Sequence, residues 1–386
     1  MKIKEKQTAN RSTSRIINRR AVFEHILSKN GVGRTDVAKN LNLSKPAVNA
    51  AVAELIEIGL IEESGVNAKK SAGPKQALLR FRENYSFIAV IDISYTKPIC
   101  ALGDLGGNIL ERERLLEYAN AQERLDAASN AIHELLKRAK LASEDLELVI
   151  ISQPGIITNS QEVLYVNPRH HNWTEIGLKE RLIKTLNKRV IIENCARLAA
   201  MGELEYCRLS EQTFIYIDCG VGLGSAFIQN GRPYEGHNRA SGEIGHIALT
   251  GGRFAEEEMA MEGLLRRIFI SCTARGLEAP KNFEEVINKI ENDDKVVCAT
   301  TREIGRDIGR LIYNCAVLFD APTVIFGGEY LRLGAPLFEG IHESIHTDFP
   351  FRPKIMRSSL EDNAEIEGAF VLGRNIITSE LLNSED

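Results

Sequence analysis

The sequence predicts an α/β body of two similar lobes carrying a winged helix-turn-helix at its N-terminus. Three observations point there. The first 80 of 386 residues hold 15 Lys and Arg against 7 Asp and Glu, a net +8, whereas the other 306 hold 33 against 46, a net −13. Within that basic head, three short helical patterns precede two alternating runs. Behind it, a hairpin-rich set of strands followed by crossover helices occurs twice. The chain length suits two or three domains. With 44% hydrophobic and 26% charged residues, the composition is that of an ordinary globular protein. No apolar run reaches the ~18 residues of a membrane span. The first thirty residues are charged and lack a signal-peptide core, so a cytoplasmic protein is expected. Cys100, Cys195, Cys207, Cys219, Cys272, Cys298 and Cys315 form no CxxC, which suits free, mostly buried thiols in a reducing compartment.

In the head, Ile16, Ile17, Phe23, Ile26 and Leu27 predict a helix over 14–29 that ends near Asn30-Gly31. A second helix runs from Thr35, its N-cap, through Leu41, with Val37 and Leu41 one turn apart. Asn42-Leu43 makes the turn. Ser44 caps a third helix with Pro46 in its first turn, where a missing N–H costs nothing. Val48, Val52, Leu55 and Ile56 form its buried stripe, and Gly59 stops it. This spacing is that of a helix-turn-helix, whose third helix enters the major groove. Such a helix needs small and polar residues near its N-terminus, and Ser44, Lys45, Asn49 and Ala50 supply them. Asn49 can pair bidentately with adenine, while Ser44 and Lys45 are placed for phosphate. Leu60–Glu63 and Gln76–Phe81 then alternate like strands, joined by a loop with Lys69, Lys70 and Lys75. That is a wing with a basic tip, suited to phosphate or the minor groove. A small helical protein-interaction module would leave the charge balance and the wing unexplained.

From Phe87 the texture changes. Strands are expected at Phe87–Ser94, Ile99–Leu105 and Asn108–Leu115, then an amphipathic helix over 122–140 and a buried strand at Leu146–Ser152. The same order recurs: Phe214–Cys219 is apolar, and Ser225–Gln229 pairs with Arg232–Glu235 across Asn230-Gly231. Thr323–Phe326 is a short buried strand ending in Gly327-Gly328. The expected division is a DNA-binding domain over 1–82 and an effector domain over 83–386. Its first lobe spans about 83–195 plus a C-terminal helix over 362–380, and its second about 196–361. A cleft between such lobes is the default ligand site.

Taken together, head and body resemble the ROK-family transcriptional regulators, sugar-responsive repressors whose effector domain is related to bacterial sugar kinases. The most specific piece is Ser241-Gly242-Glu243-Ile244-Gly245-His246, which matches the family's GEIGH segment. Pro154-Gly155-Ile156, Asn167-Pro168 followed by Trp173, Glu193-Asn194, the run Cys219 to Gly224, and Gly327-Gly328 support it in order and spacing. The resemblance implies an actin/hexokinase-like (ribonuclease H-like) body. It also implies that Asn194, Glu243 and His246 contact a sugar, with Glu262 and Asn167 as further candidates. Sugar hydroxyls both donate and accept, and Asn, Glu and His side chains meet them in pairs. A polar residue satisfied near the core is the alternative for Glu262, and a turn-forming Asn for Asn167.

Three departures bear on activity. The family's kinases carry Asp directly after the Glu-Asn pair as the base for the sugar hydroxyl; here it is Cys195, a thiol that is mostly neutral at pH 7. The family's first phosphate loop, Asp-x-Gly-Gly-Thr, reads Asp92-Ile93-Ser94-Tyr95-Thr96, and Tyr95 crowds it. The second loop, Gly220 to Gly224, is either a permissive anion site or a tight turn between two strands. The family's structural zinc site follows GEIGH, yet this chain has no cysteine there, so no metal is expected. Glu256 to Glu258 are read instead as caps on the next helix, which leaves His246 for the ligand or for a carboxylate partner. The expectation is a sugar-responsive repressor of carbohydrate-metabolism genes that is not an enzyme and carries no cofactor. It binds double-stranded operator DNA and a sugar or sugar derivative as a homodimer or tetramer, away from membranes. A sugar kinase with a regulatory DNA-binding head is the alternative, and a body that only dimerises is a third.

Overall fold

A computed structural model of the chain describes residues 2–66, 77–93, 98–115, 121–165, 177–206, 212–345, 350 and 352–383. Helix α1 (Lys2–Lys29) starts well before the expected residue 14. A two-residue strand, β1 (Val32–Gly33), leads into α2 (Arg34–Asn40), and α3 (Lys45–Ile58) follows. Strands β2 (Ile61–Val66) and β3 (Ala77–Phe81) form the wing hairpin, and β3 also pairs with β1, placing Val32 opposite Leu79. The Ser44 hydroxyl accepts from the Ala47 amide at 3.3 Å, and Gly59 closes α3 at φ +87, where a Cβ is disfavoured.

Three details of the head depart from expectation. Thr35 lies inside α2, whose N-cap is Gly33. Ile56 is 38% exposed and Ala51 takes its place in the core. At about 100° per residue, Ile56 stands roughly a quarter turn from the line through Val48, Val52 and Leu55. Ile17 is 60% exposed, because α1 turns Val22, Phe23 and Ile26 inward and Ile17 lies on the opposite side.

The body holds two five-stranded sheets. In the first, β4 (Phe87–Asp92), β5 (Ile99–Asp104) and β6 (Ile109–Arg114) run antiparallel. Helix α4 (Ala121–Arg138) crosses to β7 (Leu146–Gln153), parallel to β4. A small hairpin, β8 (Ile156–Ile157) with β9 (Val163–Tyr165), lies outside that sheet. Helix α5 (Leu178–Leu186) returns to β10 (Arg189–Asn194), parallel to β7, and α6 (Cys195–Tyr206) leaves it at once.

The second sheet repeats the plan with β11 (Phe214–Cys219), β12 (Leu223–Gln229) and β13 (Arg232–Pro233). Asn230 and Gly231, at φ +52 and +74, make the expected tight turn between the last two. Then come α7 (Ala255–Met259), α8 (Met261–Thr273), α9 (Phe283–Glu291) and α10 (Lys295–Phe319). Strand β14 (Thr323–Gly327), α11 (Gly334–Ser344) and β15 (Lys354–Arg357) complete the lobe, and α12 (Ala364–Asn383) ends the described chain. The two orders, β6-β5-β4-β7-β10 and β13-β12-β11-β14-β15, are the same when counted from each lobe's own first strand.

Helix α12 lies on β4 and β7 and against α6, which itself packs on β11 and β12. The two helices therefore join the sheets. Backbone meets backbone there: a Cβ on Gly202 would stand 2.6 Å from the Ala364 carbonyl oxygen, and one on Gly368 would overlap that of Leu198. The head is docked rather than tethered. Val22, Phe23, Ile26 and Leu55 belong to one continuous core with Ile88, Val90, Leu148, Phe370 and Leu382 of the body. Each such side chain contributes about 1.5–3 kcal/mol on burial, far more than a flexible linker offers.

Among the described residues, Cys100, Cys219, Cys272 and Cys315 are buried, Cys195 and Cys298 half-buried, and all six are free thiols. No described helix is long and apolar enough to cross a membrane.

Candidate functional site

A cavity of about 640 Å³ opens between the lobes, where β4, β10, β11 and β14 end and α6 and α12 begin. Asn194, the last residue of β10, caps α6: its side-chain oxygen accepts from the Arg197 amide at 3.0 Å. Its Nδ2 donates to the Gly155 carbonyl at 2.9 Å, which leaves one donor and one acceptor position for a ligand. Glu193 faces the other way and accepts from Arg197 at 2.8 Å and from Arg239 at 2.6 Å.

Arg239 belongs to the second lobe, in the loop before the GEIGH segment. It also donates to the Ile157 carbonyl of the first lobe at 3.0 Å and adopts φ +57, a conformation costly for a non-glycine residue. The loop is thus pinned across the cleft. Gly242 follows at φ +95, and a Cβ there would overlap the Ser225 carbonyl oxygen, so only glycine fits. A 3-10 turn over Ile244–His246 comes next. Asn194 from β10 and Glu243 and His246 from the GEIGH segment line the same cavity. Burial raises the Glu243 carboxyl above its ordinary range, and the neighbouring His246 opposes that shift.

The cavity wall also carries a cluster of acids. Asp92 ends β4, Asp218 lies near the end of β11, and Glu365 opens α12; all three line the wall. Burial first, and then Glu329, Asp92 and Asp362, push Asp218 up to about 6. Burial, Asp218 and Asp92 hold Glu365 well above the carboxylate range. Burial and the same acids keep the Cys195 thiol protonated far past its ordinary value. Gly220 to Gly224 form a turn between β11 and β12 in which the Gly220 amide donates to the Gly222 carbonyl at 3.0 Å. Among the described residues, no group of three or more His, Cys, Asp or Glu side chains is arranged to hold a metal ion.

On the head, Ser44, Lys45, Asn49 and Ala50 are all exposed along the first turns of α3. Arg34, at the start of α2, reaches over them: it donates to Asn49 Oδ1 at 3.3 Å and pairs with Glu63 of β2 at 2.7 Å. The wing lysines Lys69, Lys70 and Lys75 lie outside the described residues, as do Asn167, Trp173 and Tyr95.

Glu262, expected near the sugar, sits exposed in the first turn of α8 and is not on the cavity wall. Glu256 is on that wall instead. The capping role expected for the run Glu256 to Glu258 falls to Glu257 alone, which accepts from the Phe254 amide at 3.0 Å. Glu258 pairs with Arg253 and Arg266. One residue along a helix changes direction by about 100°, so three consecutive glutamates face three different surroundings. Sequence reasoning missed Arg239, Glu256 and Arg34. A basic residue opening α2 was a signal for the last; the first two carry none.

Comparison with known proteins agrees with this fold. The ROK family profile matches residues 88–376, and a winged helix-turn-helix DNA-binding profile matches 17–62. The xylose repressor of Bacillus subtilis (strain 168) is 24% identical over 91% of this chain and 93% of its own length. The DNA-binding transcriptional dual regulator NagC of Escherichia coli (strain K12) is 23% identical over 95% and 94%. Among solved structures, a ROK family transcriptional regulator, a homolog of the E. coli MLC protein, aligns with TM-score 0.78 at 20% identity, covering 96% of this chain and 99% of that one. A ROK family glucokinase from Streptomyces griseus, in complex with glucose and AMPPNP, aligns with TM-score 0.63 at 22% identity over 74% and 99%.

Proposed function

The chain belongs to the ROK family, and from that premise we propose that it is a sugar-responsive, DNA-binding repressor of carbohydrate-metabolism genes that has given up kinase chemistry. Residues 1–82 form the DNA-binding domain and 83–386 the effector, acting in the cytoplasm as a homodimer or tetramer. Asn194, Glu243 and His246 hold the sugar. Ser44, Lys45, Asn49 and Ala50, with the wing lysines, hold operator DNA.

One observation carries the reading: α12 reaches from the cavity to the head. Its 20 residues span about 30 Å at 1.5 Å each. Glu365 lines the cavity at one end. At the other, Arg20 donates to the Ser379 hydroxyl at 3.0 Å and Arg19 to the Leu382 carbonyl. Both arginines sit on α1, which packs on α3, with Arg15 and Glu54 joined at 2.6 Å. Helix α6 starts at Asn194 and locks to α12 through Gly202 and Gly368. A sugar that draws the lobes together moves both helices at their cavity ends, and α12 delivers that movement to α1 and α3. Coupling then needs only that the sugar prefer one of the two arrangements.

A sugar kinase with a regulatory head is the second reading, and one observation favours it. Asp218, near pKa 6, lines the same cavity as Cys195 and has the strength of a general base. Against it stands Cys195 itself, a protonated thiol where the family's kinases place their base.

A DNA-shift assay with a panel of aldoses and amino sugars, paired with an ATP-dependent phosphorylation assay, tests both. The expected outcome is that one sugar changes operator affinity about fivefold or more, with no turnover. Phosphorylation at the roughly 1–100 per second of working kinases would overturn the reading, and so would operator affinity that no sugar alters. Asn49→Ala is expected to weaken operator binding by roughly 1–3 kcal/mol while sugar affinity holds. Glu243→Ala does the reverse, weakening the sugar by roughly 1.5–3 kcal/mol, the range for hydrogen bonds to a charged group. Titration calorimetry and the shift assay read the two effects separately.

A further inference from the structure

We propose that Arg34, which lies outside the recognition helix, reads the operator together with Asn49, and that the pair selects guanine where Asn49 alone would take adenine. This rests on the reading of α3 as the helix that enters the major groove. Helix α2 and strand β2 both pack on α3. Arg34, the first residue of α2, spans all three elements. Its Nε and Nη2 donate to Glu63 Oε1 of β2 at 3.1 and 2.7 Å, and its Nη1 donates to Asn49 Oδ1 at 3.3 Å. Asn49 is exposed in the first turns of α3, the part of a recognition helix that meets base edges. Ala50 and Ala53, also exposed, carry nothing longer than a methyl that would hold a base away.

A guanidinium has five N–H groups and no acceptor. Three are engaged here, which leaves one on Nη1 and one on Nη2 without a partner among the described residues. The same chemistry orients the amide of Asn49. Only its oxygen can face a guanidinium, so Oδ1 is turned to Arg34 and Nδ2 lies on the other side. Bidentate reading of adenine needs that oxygen to accept from N6 while Nδ2 donates to N7. An N6 amino group approaching Oδ1 would meet the guanidinium, donor against donor. Guanine instead offers two acceptors, N7 and O6, on the same edge. Nδ2 of Asn49 and the remaining N–H groups of Arg34 are donors only, so the pair matches guanine. One oxygen of Glu63 takes two of the N–H groups, which holds Arg34 on Asn49 before DNA arrives and lowers the ordering cost of binding.

The test is selection by the full-length protein from a pool of random DNA duplexes. Arg34→Ala, Asn49→Ala and Glu63→Ala are run beside the parent, each checked for folding by its melting transition. The parent should favour guanine over adenine about tenfold or more at one base pair of the selected site, and Asn49→Ala should relax that position. Arg34→Ala frees Oδ1, so the preference there should turn toward adenine, a change that loss of a structural support alone would not produce. Glu63→Ala should shrink the preference while binding to nonspecific duplex holds or tightens, because an acid beside the polyanion is lost. Adenine at the Asn49-dependent position in the parent overturns the proposal and leaves DNA binding through α3 standing. So does an Arg34→Ala protein with unchanged preference, or one weakened alike on all sequences with a salt slope lower by about one, the mark of a phosphate contact. An unchanged preference in Glu63→Ala overturns the role given to Glu63. A pool that yields no preferred sequence overturns the DNA-binding reading itself.

Discussion

Gly368→Ala is expected to cost the protein on the order of 3 kcal/mol or more, the upper end of the range for overpacking. The added methyl meets the Leu198 carbonyl group and the Gly202 amide, which are backbone atoms inside α6. A side chain in that place would rotate aside; a hydrogen-bonded helix backbone cannot, so α6 and α12 must separate. They are the two helices that fill the space between the sheets and both begin at the cavity, so the loss falls on stability and on sugar response together. Denaturant unfolding of the full chain checks the first effect. A variant whose midpoint matches the parent protein would show that the close helix contact carries no weight.

Arg19→Ala is expected to uncouple the head from the sugar. Arg19 is 6% exposed, and its guanidinium donates to the Leu382 carbonyl and to Glu54 of α3 at 3.4 Å. Leu382 lies in the last turn of α12, where carbonyls lack partners within the helix and need one from elsewhere. Removing the donor strands a buried acceptor, a loss of roughly 1–3 kcal/mol. The core shared by head and body remains, so the head still folds and operator binding persists. What falls is the ratio of operator affinities with and without sugar, which should approach one. Shift assays at saturating and zero sugar measure that ratio directly. An undiminished response would place the route from cavity to head somewhere other than the α12–α1 contact.

Both variants act through contacts between residues far apart in the chain, and neither contact was legible beforehand. What was legible is local. Ser44 with Pro46 marks a helix start, Gly59 a helix stop, and Asn230-Gly231 a tight turn, because each acts on backbone a few residues away. Alternation and apolar runs located β4, β5, β6, β7, β11 and β14 closely, since a strand that packs on two layers must be apolar almost throughout. Strand β1 was missed because two residues show no period. Ile56 was placed in the buried stripe because a hydrophobic residue in a helix marks a face only relative to the neighbours that cover it.

The candidate site divides in the same way. Asn194, Glu243 and His246 were found from short motifs. Their glycines are dictated by geometry close at hand, such as the approach of Gly242 to the Ser225 carbonyl. Glu256, read as a cap, lines the cavity and Glu262 does not, because which glutamate faces a cavity depends on how its helix is set against the rest of the lobe.

Composition and period alone, then, pointed to the basic winged head and the doubled α/β body, and the resemblance to the ROK family added that Cys195 stands where its kinases carry an acid. It took the folded chain to show that head and body share one core, that Arg239 ties the lobes together, and that acids from four segments meet in the cleft. Charge repulsion, close backbone contact and desolvation act through space, and no spacing along the chain records which distant residues will meet.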